Sequence, residues 1–298
     1  MDELMIGQVR RFNRTVTQRI GALSDAYLSR DRPLGQARLL WEIGPAGEDV
    51  RRLRSRLDLD SGYLSRLLRS LEADGLVVVG PSEADARMRT ARLTSAGLDE
   101  RAVLDRRSDD LAASILRPLG AGQRARLVAA MADVERLLAA SMVQVRECDP
   151  GHPHARSCLQ AYFSELARRF DGGFDPAQSI SADDAELLPP AGLLLVATLH
   201  SGPVGCGALK FRPDAPAEVK RMWVAPEVRG LGVGRRILGE LEARAAAHQV
   251  RTLRLETNRA LDEAIGLYRA AGYSEVAPFS NEPYAHHWFE KTLSPAGR

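Results

Sequence analysis

From Ile6 to about Val145, apolar residues recur mostly three and four positions apart, the period of helices that bury one face. A short stretch between Leu76 and Leu93 is the exception. In "VRRLRSRLDLDSGYLSRLLRSLEADGLVVV", Val50 to Val79, the pattern predicts a helix, a tight turn, a second helix and a strand. Ser61 is the expected N-cap of the second helix. Its stripe Leu64, Leu67, Leu68 and Leu71 should turn inward, leaving Gly62, Ser65, Arg66 and Arg69 on the opposite face. The following "VVVGPSEADARMRTARLT" predicts two short strands around a polar turn, with Arg87, Arg89 and Arg92 along it.

The texture changes at "ECDPGHPHA", Glu147 to Ala155, where two prolines and a glycine interrupt a helical pattern that ends near Val145. A domain boundary is expected there, dividing the chain into 1–147 and 148–298. Beyond it "GLLLVATLH", "GCGALKF", "AEVKRMWVA" and "VRTLRLETN" read as strands, and helical patterns alternate with the later ones. Such alternation predicts an α/β domain with a mixed central sheet, after a first domain that is mainly helical.

A length of 298 residues agrees with two cores, and 45% hydrophobic with 27% charged residues is an ordinary globular balance. The formal charge is only +2, so a nucleic-acid partner has to be argued from a local patch. Cys148, Cys158 and Cys206 have no metal-ligand spacing and form no even-numbered framework, as expected in a reducing compartment. The first residues lack a leader's apolar segment and no run is long enough to span a bilayer. The expectation is a cytoplasmic protein without a metal or a membrane partner.

Three readings compete for Arg229-Gly230-Leu231-Gly232-Val233-Gly234. A P-loop needs Gly-Lys-Ser/Thr, whereas Arg235 and Arg236 follow here. A dinucleotide fingerprint needs G-x-G-x-x-G, whereas these glycines alternate at 230, 232 and 234. What remains is a loop whose bare backbone amides close around phosphate oxygens where a helix begins. A plain flexible turn is the bland alternative. The stripe Gly234, Ile237, Leu238, Leu241 and Ala245 argues against it, because a helix packed on a sheet holds its first turn rigidly.

With "KRMWVAPEVRGLGVGRRIL" and "TNRALDEAIGLYRAAGY", the chain resembles the GNAT superfamily of acyl-CoA N-acyltransferases. Arg229, Gly232 and Gly234 match the R/Q-x-x-G-x-G/A motif, and the downstream segment matches an aliphatic-Tyr-x-x-x-Gly-Phe/Tyr pattern. The resemblance covers roughly Cys148 to Leu293. It implies acetyl-CoA as cofactor, with the backbone of Met222, Trp223 and Val224 pairing with the pantetheine arm. Gly230, Leu231, Gly232, Val233 and Gly234, with Arg229 and Arg235, would hold the pyrophosphate, and Asn258 would contact the cofactor arm. Tyr268 matches the tyrosine that protonates the departing sulfur; it also lies on its helix's apolar stripe, where a core residue would sit, and the motif match favours the catalytic role. Glu218 is a candidate general base or a solvated strand-edge charge, and Glu256 is a second candidate base. His286 and His287 would point to opposite faces of a strand, so at most one shapes the acceptor pocket. Glu165, Arg168, Arg169 and Phe174 are candidates for selecting the acceptor, a small amine.

The first half, about Met5 to Val145, resembles the MarR family of winged helix-turn-helix regulators through "YLSRLLRSLEADGLV" and "DARMRTARLT", where Asp85 and Arg87 match the family's wing Asp and Arg. The resemblance implies double-stranded DNA as partner, read by Ser61, Gly62, Ser65, Arg66 and Arg69 with wing residues Arg87 and Arg89, and a homodimer formed by the helices before Leu34 and after Ser95. The leading functional expectation is therefore an N-acetyltransferase fused to a DNA-binding and dimerisation domain. The alternatives are a regulator whose second domain senses acyl-CoA or an amine without turnover, and a winged helix that no longer touches DNA.

Overall fold

Side-chain caps and leucine stripes set the helices of the first half in this computed structural model, which describes residues 2–82, 88–179, 183–212 and 215–293. Helix α1 (Glu3–Arg19) is capped by Asp2 and is followed by α2 (Leu34–Ile43). A two-residue strand β1 (Glu48–Asp49) leads into α3 (Val50–Arg56), whose first amides donate to Asp49. The N-cap of α4 (Ser61–Ala73) is Asp60 rather than the expected Ser61: extended backbone lets its carboxylate accept from Tyr63 N at 2.8 Å, and Ser61 becomes the first helical residue.

Strands β2 (Val77–Pro81) and β3 (Arg89–Leu93) pair antiparallel, and β1 adds to β3. Two 22-residue helices follow, α5 (Ser95–Leu116) and α6 (Ala121–Met142). Leu64, Leu67, Leu68 and Leu71 of α4 are buried with Leu39, Leu40, Leu53 and Leu104, while Gly62, Ser65, Arg66 and Arg69 are exposed, as their spacing requires. The expected wing residues Asp85 and Arg87 lie outside the described residues.

The chain divides into two compact units, Met1–Met131 and Ala132–Arg298, and the division falls within the residues of α6. The boundary expected between 147 and 148 lies C-terminal to this division, and residues 144–147, expected in the first domain, fall within the second unit. They form β4 (Gln144–Glu147), paired antiparallel with β5 (Gly192–Leu199), and Val143 just before it is buried in the second unit's core.

The second unit continues with α7 (Pro153–Arg169), β6 (Gly202–Lys210), β7 (Ala217–Val224), α8 (Val233–Ala247), β8 (Thr252–Thr257), α9 (Asp262–Ala270), β9 (Ser274–Glu275) and β10 (His287–Thr292). Its seven strands run in the order β4-β5-β6-β7-β8-β10-β9, antiparallel everywhere except between β7 and β8. Alternation along β5 divides the core: Leu193, Leu195 and Ala197 join the cluster with α8 and α9, whereas Leu194 and Val196 join the one beneath α7. The expected mixed-sheet α/β domain after a mainly helical winged domain is what the chain builds.

Gly97 fixes how closely α5 approaches the sheet of the first unit, since a Cβ there would stand 2.0 Å from the Leu76 carbonyl oxygen. Gly97→Ala is expected to cost about 2–3 kcal/mol of first-domain stability or more, because backbone rather than a flexible side chain has to give way. Denaturant unfolding of the variant checks this; an unchanged midpoint contradicts it.

Candidate active site

A local irregularity in β7 creates the central opening. The β6–β7 register runs Gly205↔Val224 and Cys206↔Trp223, then shifts before Ala208↔Lys220. Arg221 sits inside this shift with φ 57°, a left-handed conformation that costs a non-glycine residue about 1 kcal/mol or more. On its other edge β7 pairs with β8 only at Ala217↔Leu253 and Glu218↔Arg254. From Val219 onward the two parallel strands part, leaving that strand edge without a β8 partner.

Met222, Trp223 and Val224 line one wall of the resulting cleft, of about 420 Å³, and Leu261, Ala264, Leu267 and Tyr268 line the opposite wall. Arg229, Gly230, Gly232, Val233, Gly234 and Arg235 close one end. Leu231 instead packs on the core beneath. Gly230 and Gly232 have φ of 82° and 78°, and a Cβ at either would meet nothing, so their backbone faces open space. Gly234 is constrained differently: a Cβ would lie 3.3 Å from Leu267 Cδ2. Gly232 is the N-cap of α8 and no side chain caps that helix, which leaves first-turn amides directed toward the cleft end with the positive pole of the helix behind them.

The Arg229 side chain turns away from the loop it begins. Its Nε donates to Val224 O at 3.0 Å and its Nη2 donates to both oxygens of Glu165, at 2.8 and 2.6 Å. Glu165 on α7 is only 6% exposed and also accepts from Trp223 Nε1 at 2.9 Å and Arg169 Nη1 at 3.1 Å. Burial alone would raise its carboxyl. The hydrogen bonds from Arg229, Arg169 and Trp223 outweigh that and hold it below the usual carboxylate range. One carboxylate therefore ties the glycine loop, the β7 edge and α7 together. Arg168, also expected near the acceptor, is exposed and lines neither cleft.

A second cleft continues from the first and shares Tyr162, Leu166, Met222, Leu261, Ala264 and Tyr268 with it. Two phenols thus stand at the junction. Burial raises the Tyr268 hydroxyl well above an ordinary tyrosine, with Tyr162 adding to the effect, and burial pushes Tyr162 up to about 12. Both stay protonated at neutral pH. Tyr268 also packs on Phe289 and Tyr273, so the two readings of this residue, core and cleft, hold together.

The candidate bases separate. Lys220 Nζ bridges Glu218, at 3.1 Å, and Glu256, and Arg212 Nε reaches Glu218 at 2.6 Å. Glu256 lines the second cleft; Glu218 lines neither and is occupied by two cations. Asn258 also lines the second cleft rather than the first, and its amide is spent on local structure: Nδ2 donates to Tyr284 O at 2.8 Å and Oδ1 accepts from Ala260 N at 2.9 Å. Neither His286 nor His287 lines either of these two clefts, and His287 Nδ1 pairs with Glu275 at 2.6 Å. Tyr162, Lys220, Phe170 and Tyr284 had no distinguishing signal in sequence. Among the described residues no group of histidine, cysteine and carboxylate side chains is placed to hold a metal ion.

On the first unit, Ser61, Gly62, Ser65, Arg66 and Arg69 share the exposed face of α4. The Arg66 guanidinium lies 5.7 Å from the Tyr63 ring centroid and Arg69 Nε donates to Ser65 O at 3.2 Å. Arg89 is exposed at the start of β3.

Comparison with known proteins matches residues 190–275 to the acetyltransferase (GNAT) domain and residues 31–88 to the MarR family. An "IAA acetyltransferase" of Azospirillum brasilense is 36% identical over 118 residues, which are 39% of this chain and 76% of that protein. An uncharacterized N-acetyltransferase of Schizosaccharomyces pombe is 32% identical over 97 residues, 32% of this chain and 60% of that protein. Among solved structures, one described as an acyl-CoA N-acyltransferase of Klebsiella pneumoniae is 27% identical with a TM-score of 0.41, covering 51% of this chain and 99% of the other. A GNAT-family acetyltransferase of Staphylococcus aureus is 16% identical with a TM-score of 0.44 over the same shares.

Glu165→Gln is expected to lower second-domain stability by about 2–3 kcal/mol near neutral pH, because the hydrogen bonds from Arg229, Arg169 and Trp223 lose their charged, buried acceptor. Since the folded-state pKa is depressed, the parent keeps this contribution above the unfolded carboxylate pKa and loses it as pH falls through the folded value. The gap between parent and variant should therefore close in acid. Unfolding curves across pH check it, and a gap that does not change with pH contradicts it.

Proposed function

Because this chain belongs to the GNAT acetyltransferase family, with a MarR-family winged helix preceding that domain, we propose that it is an acetyl-CoA-dependent N-acetyltransferase acting on a small amine. The observation that carries this reading is Tyr268, a buried and protonated phenol at the junction of two clefts, one of which ends in a bare glycine loop. The residues present fit an acyl-CoA. Uncapped amides of α8 and the exposed backbone of Gly230 and Gly232 suit a diphosphate, and the unpaired β7 edge suits an extended amide-containing arm.

When bound, the thioester supplies the activated acetyl group. Met222, Trp223 and Val224 would orient it along the strand edge, and Gly230 to Gly234 with Arg235 would hold its anionic end. Arg229 acts from behind, fixing the loop through Glu165 rather than reaching the phosphates. Tyr268 Oη holds the proton given to the departing sulfur, and Glu256 is better placed than Glu218 to take one from the amine, because it lines the cleft that continues from the junction.

The first domain serves DNA binding and dimerisation in this reading. The small and basic exposed face of α4 supports a groove contact. Helices α1 and α6 have no buried residue, yet Leu4, Val9 and Phe12 on one and Val128, Leu137 and Leu138 on the other are exposed. Apolar surface of that extent on long helices is what a second copy would cover. No helix among the described residues is long and apolar enough to cross a membrane.

A second reading, a regulator that senses acyl-CoA or an amine without turnover, draws on the same α4 face. Tyr268 separates the two, since a sensor needs the glycine loop but no acid. With acetyl-CoA and a panel of small amines, Tyr268→Phe is expected to lower kcat by about 10²–10⁴-fold with coenzyme A affinity unchanged. Tight coenzyme A binding by the parent with no thiol release on any amine favours the sensor. For the first domain, affinity for a duplex from its own promoter should fall steeply with salt, and Arg66→Ala should lower the slope of log affinity against log salt by about 1. A variant that matches the parent at every salt concentration removes the groove contact.

A further inference from the structure

The second cleft has a chemistry of its own away from the junction. Phe170 and Phe174 come from the end of α7 and the segment after it, and Tyr284 comes from the segment before β10. Phe174 and Tyr284 have ring centroids 4.8 Å apart, Phe170 lies 5.8 Å from each, and Phe163 stacks on Phe174 at 5.9 Å with 14° between the planes. Phe174 and Tyr284 are only half-buried, so the cluster presents aromatic surface to the cleft. It is also held in place. The Tyr284 hydroxyl accepts from Asp175 N at 3.0 Å, and the Tyr284 carbonyl accepts from Asn258. Rings fixed in this way give a planar group a wall with no ordering cost at binding.

The charges in the cleft complete the picture. Glu256 and Glu282 line it, Glu256 holding Lys220 and accepting from Ser280 Oγ, and Glu282 accepting from Ser179 Oγ at 3.0 Å. Lys220 is answered by Glu218 and Glu256, and the Arg221 guanidinium lies 4.4 Å from the Phe163 ring centroid. A polycation such as a polyamine would meet two cations beside these carboxylates and would leave the rings uncovered. A single amine joined to a flat apolar body uses both halves.

We propose, on the premise that the second domain transfers an acyl group to an amine, that the acceptor is a primary aliphatic amine joined through a short carbon chain to a planar aromatic ring. The ring seats on Phe170, Phe174 and Tyr284, and the amine reaches Glu256 near the junction. In the transfer, the amine nitrogen forms a bond to the acetyl carbonyl carbon as the carbon–sulfur bond breaks. The acceptor arrives as an ammonium and gives up one proton to solvent before attack. Its nitrogen then loses a second to Glu256, the sulfur gains one from Tyr268, solvent resets both side chains, and the products are the N-acetylated amine and free thiol.

The test uses the full-length chain with acetyl-CoA, following thiol release on 2-phenylethylamine and phenylalanine against hexylamine, norleucine and putrescine. The aromatic member of each pair is expected to exceed its aliphatic counterpart in kcat/KM by about tenfold or more. Preference for 2-phenylethylamine over phenylalanine identifies an arylalkylamine, and the reverse an aromatic amino acid. Phe174→Leu and Tyr284→Leu should raise KM for the aromatic amine about fivefold or more while the calorimetric affinity for coenzyme A stays at the parent value. Equal turnover of aromatic and aliphatic amines by the parent, or coenzyme A binding with no turnover of either aromatic amine, overturns the proposal and needs no variant to fold. Absence of coenzyme A binding overturns the acyl-transfer premise instead, and this proposal with it.

Discussion

The parting of β7 from β8 is the constraint on which the second domain depends. Parallel neighbours in a sheet normally satisfy each other's backbone groups along their whole length. Here only Ala217 and Glu218 of β7 pair with β8, and the register shift at Arg221 turns the rest of the strand away. Beyond Val224 O, which Arg229 holds, the strand edge along this cleft has no strand partner, so the opening suits something extended and amide-rich. The left-handed backbone of Arg221 is tolerated because β6 holds β7 on both sides of the shift.

Around that opening, a few charged contacts set the geometry. Glu165 spends its buried charge on Arg229, Arg169 and Trp223, which come from the loop before α8, α7 itself and β7. The loop can therefore stay glycine-rich, with φ values only glycine adopts readily, and still occupy one position. Lys220 does similar work lower in the sheet by joining Glu218 to Glu256. In both cases a buried ion is matched by several partners, the condition under which such groups are retained without a large penalty.

Periodicity made much of this legible. The leucine stripe of α4, the apolar face of α8, the main strands of the second domain and the glycine loop all follow from spacing and residue type within one element. What spacing could not reveal depends on contacts between elements. The alternation Val143-Gln144-Val145-Arg146 is too short to stand out against the helical pattern before it, and pairing of residues 144–147 with β5 makes them β4. Ser61 and Asp60 are both good caps, and backbone geometry chose the carboxylate. Asn258 and Glu218 match family positions, but their side chains are engaged by Tyr284, Ala260, Lys220 and Arg212. Tyr162 and Tyr284 looked like any helix or loop tyrosine until α7 and the segment before β10 met at one cleft.

The two clefts also differ in how they are built. The first rests on a strand edge, a helix terminus and the buried carboxylate of Glu165, so substitutions at those three supports disturb the fold around it as well. The aromatic end of the second is carried by the close of α7 and by connecting segments around Phe174 and Tyr284. Connecting segments absorb exchange with little loss of fold stability. Divergence among descendants of this chain, or deliberate redesign, can therefore change which amine is chosen while leaving the thioester machinery intact.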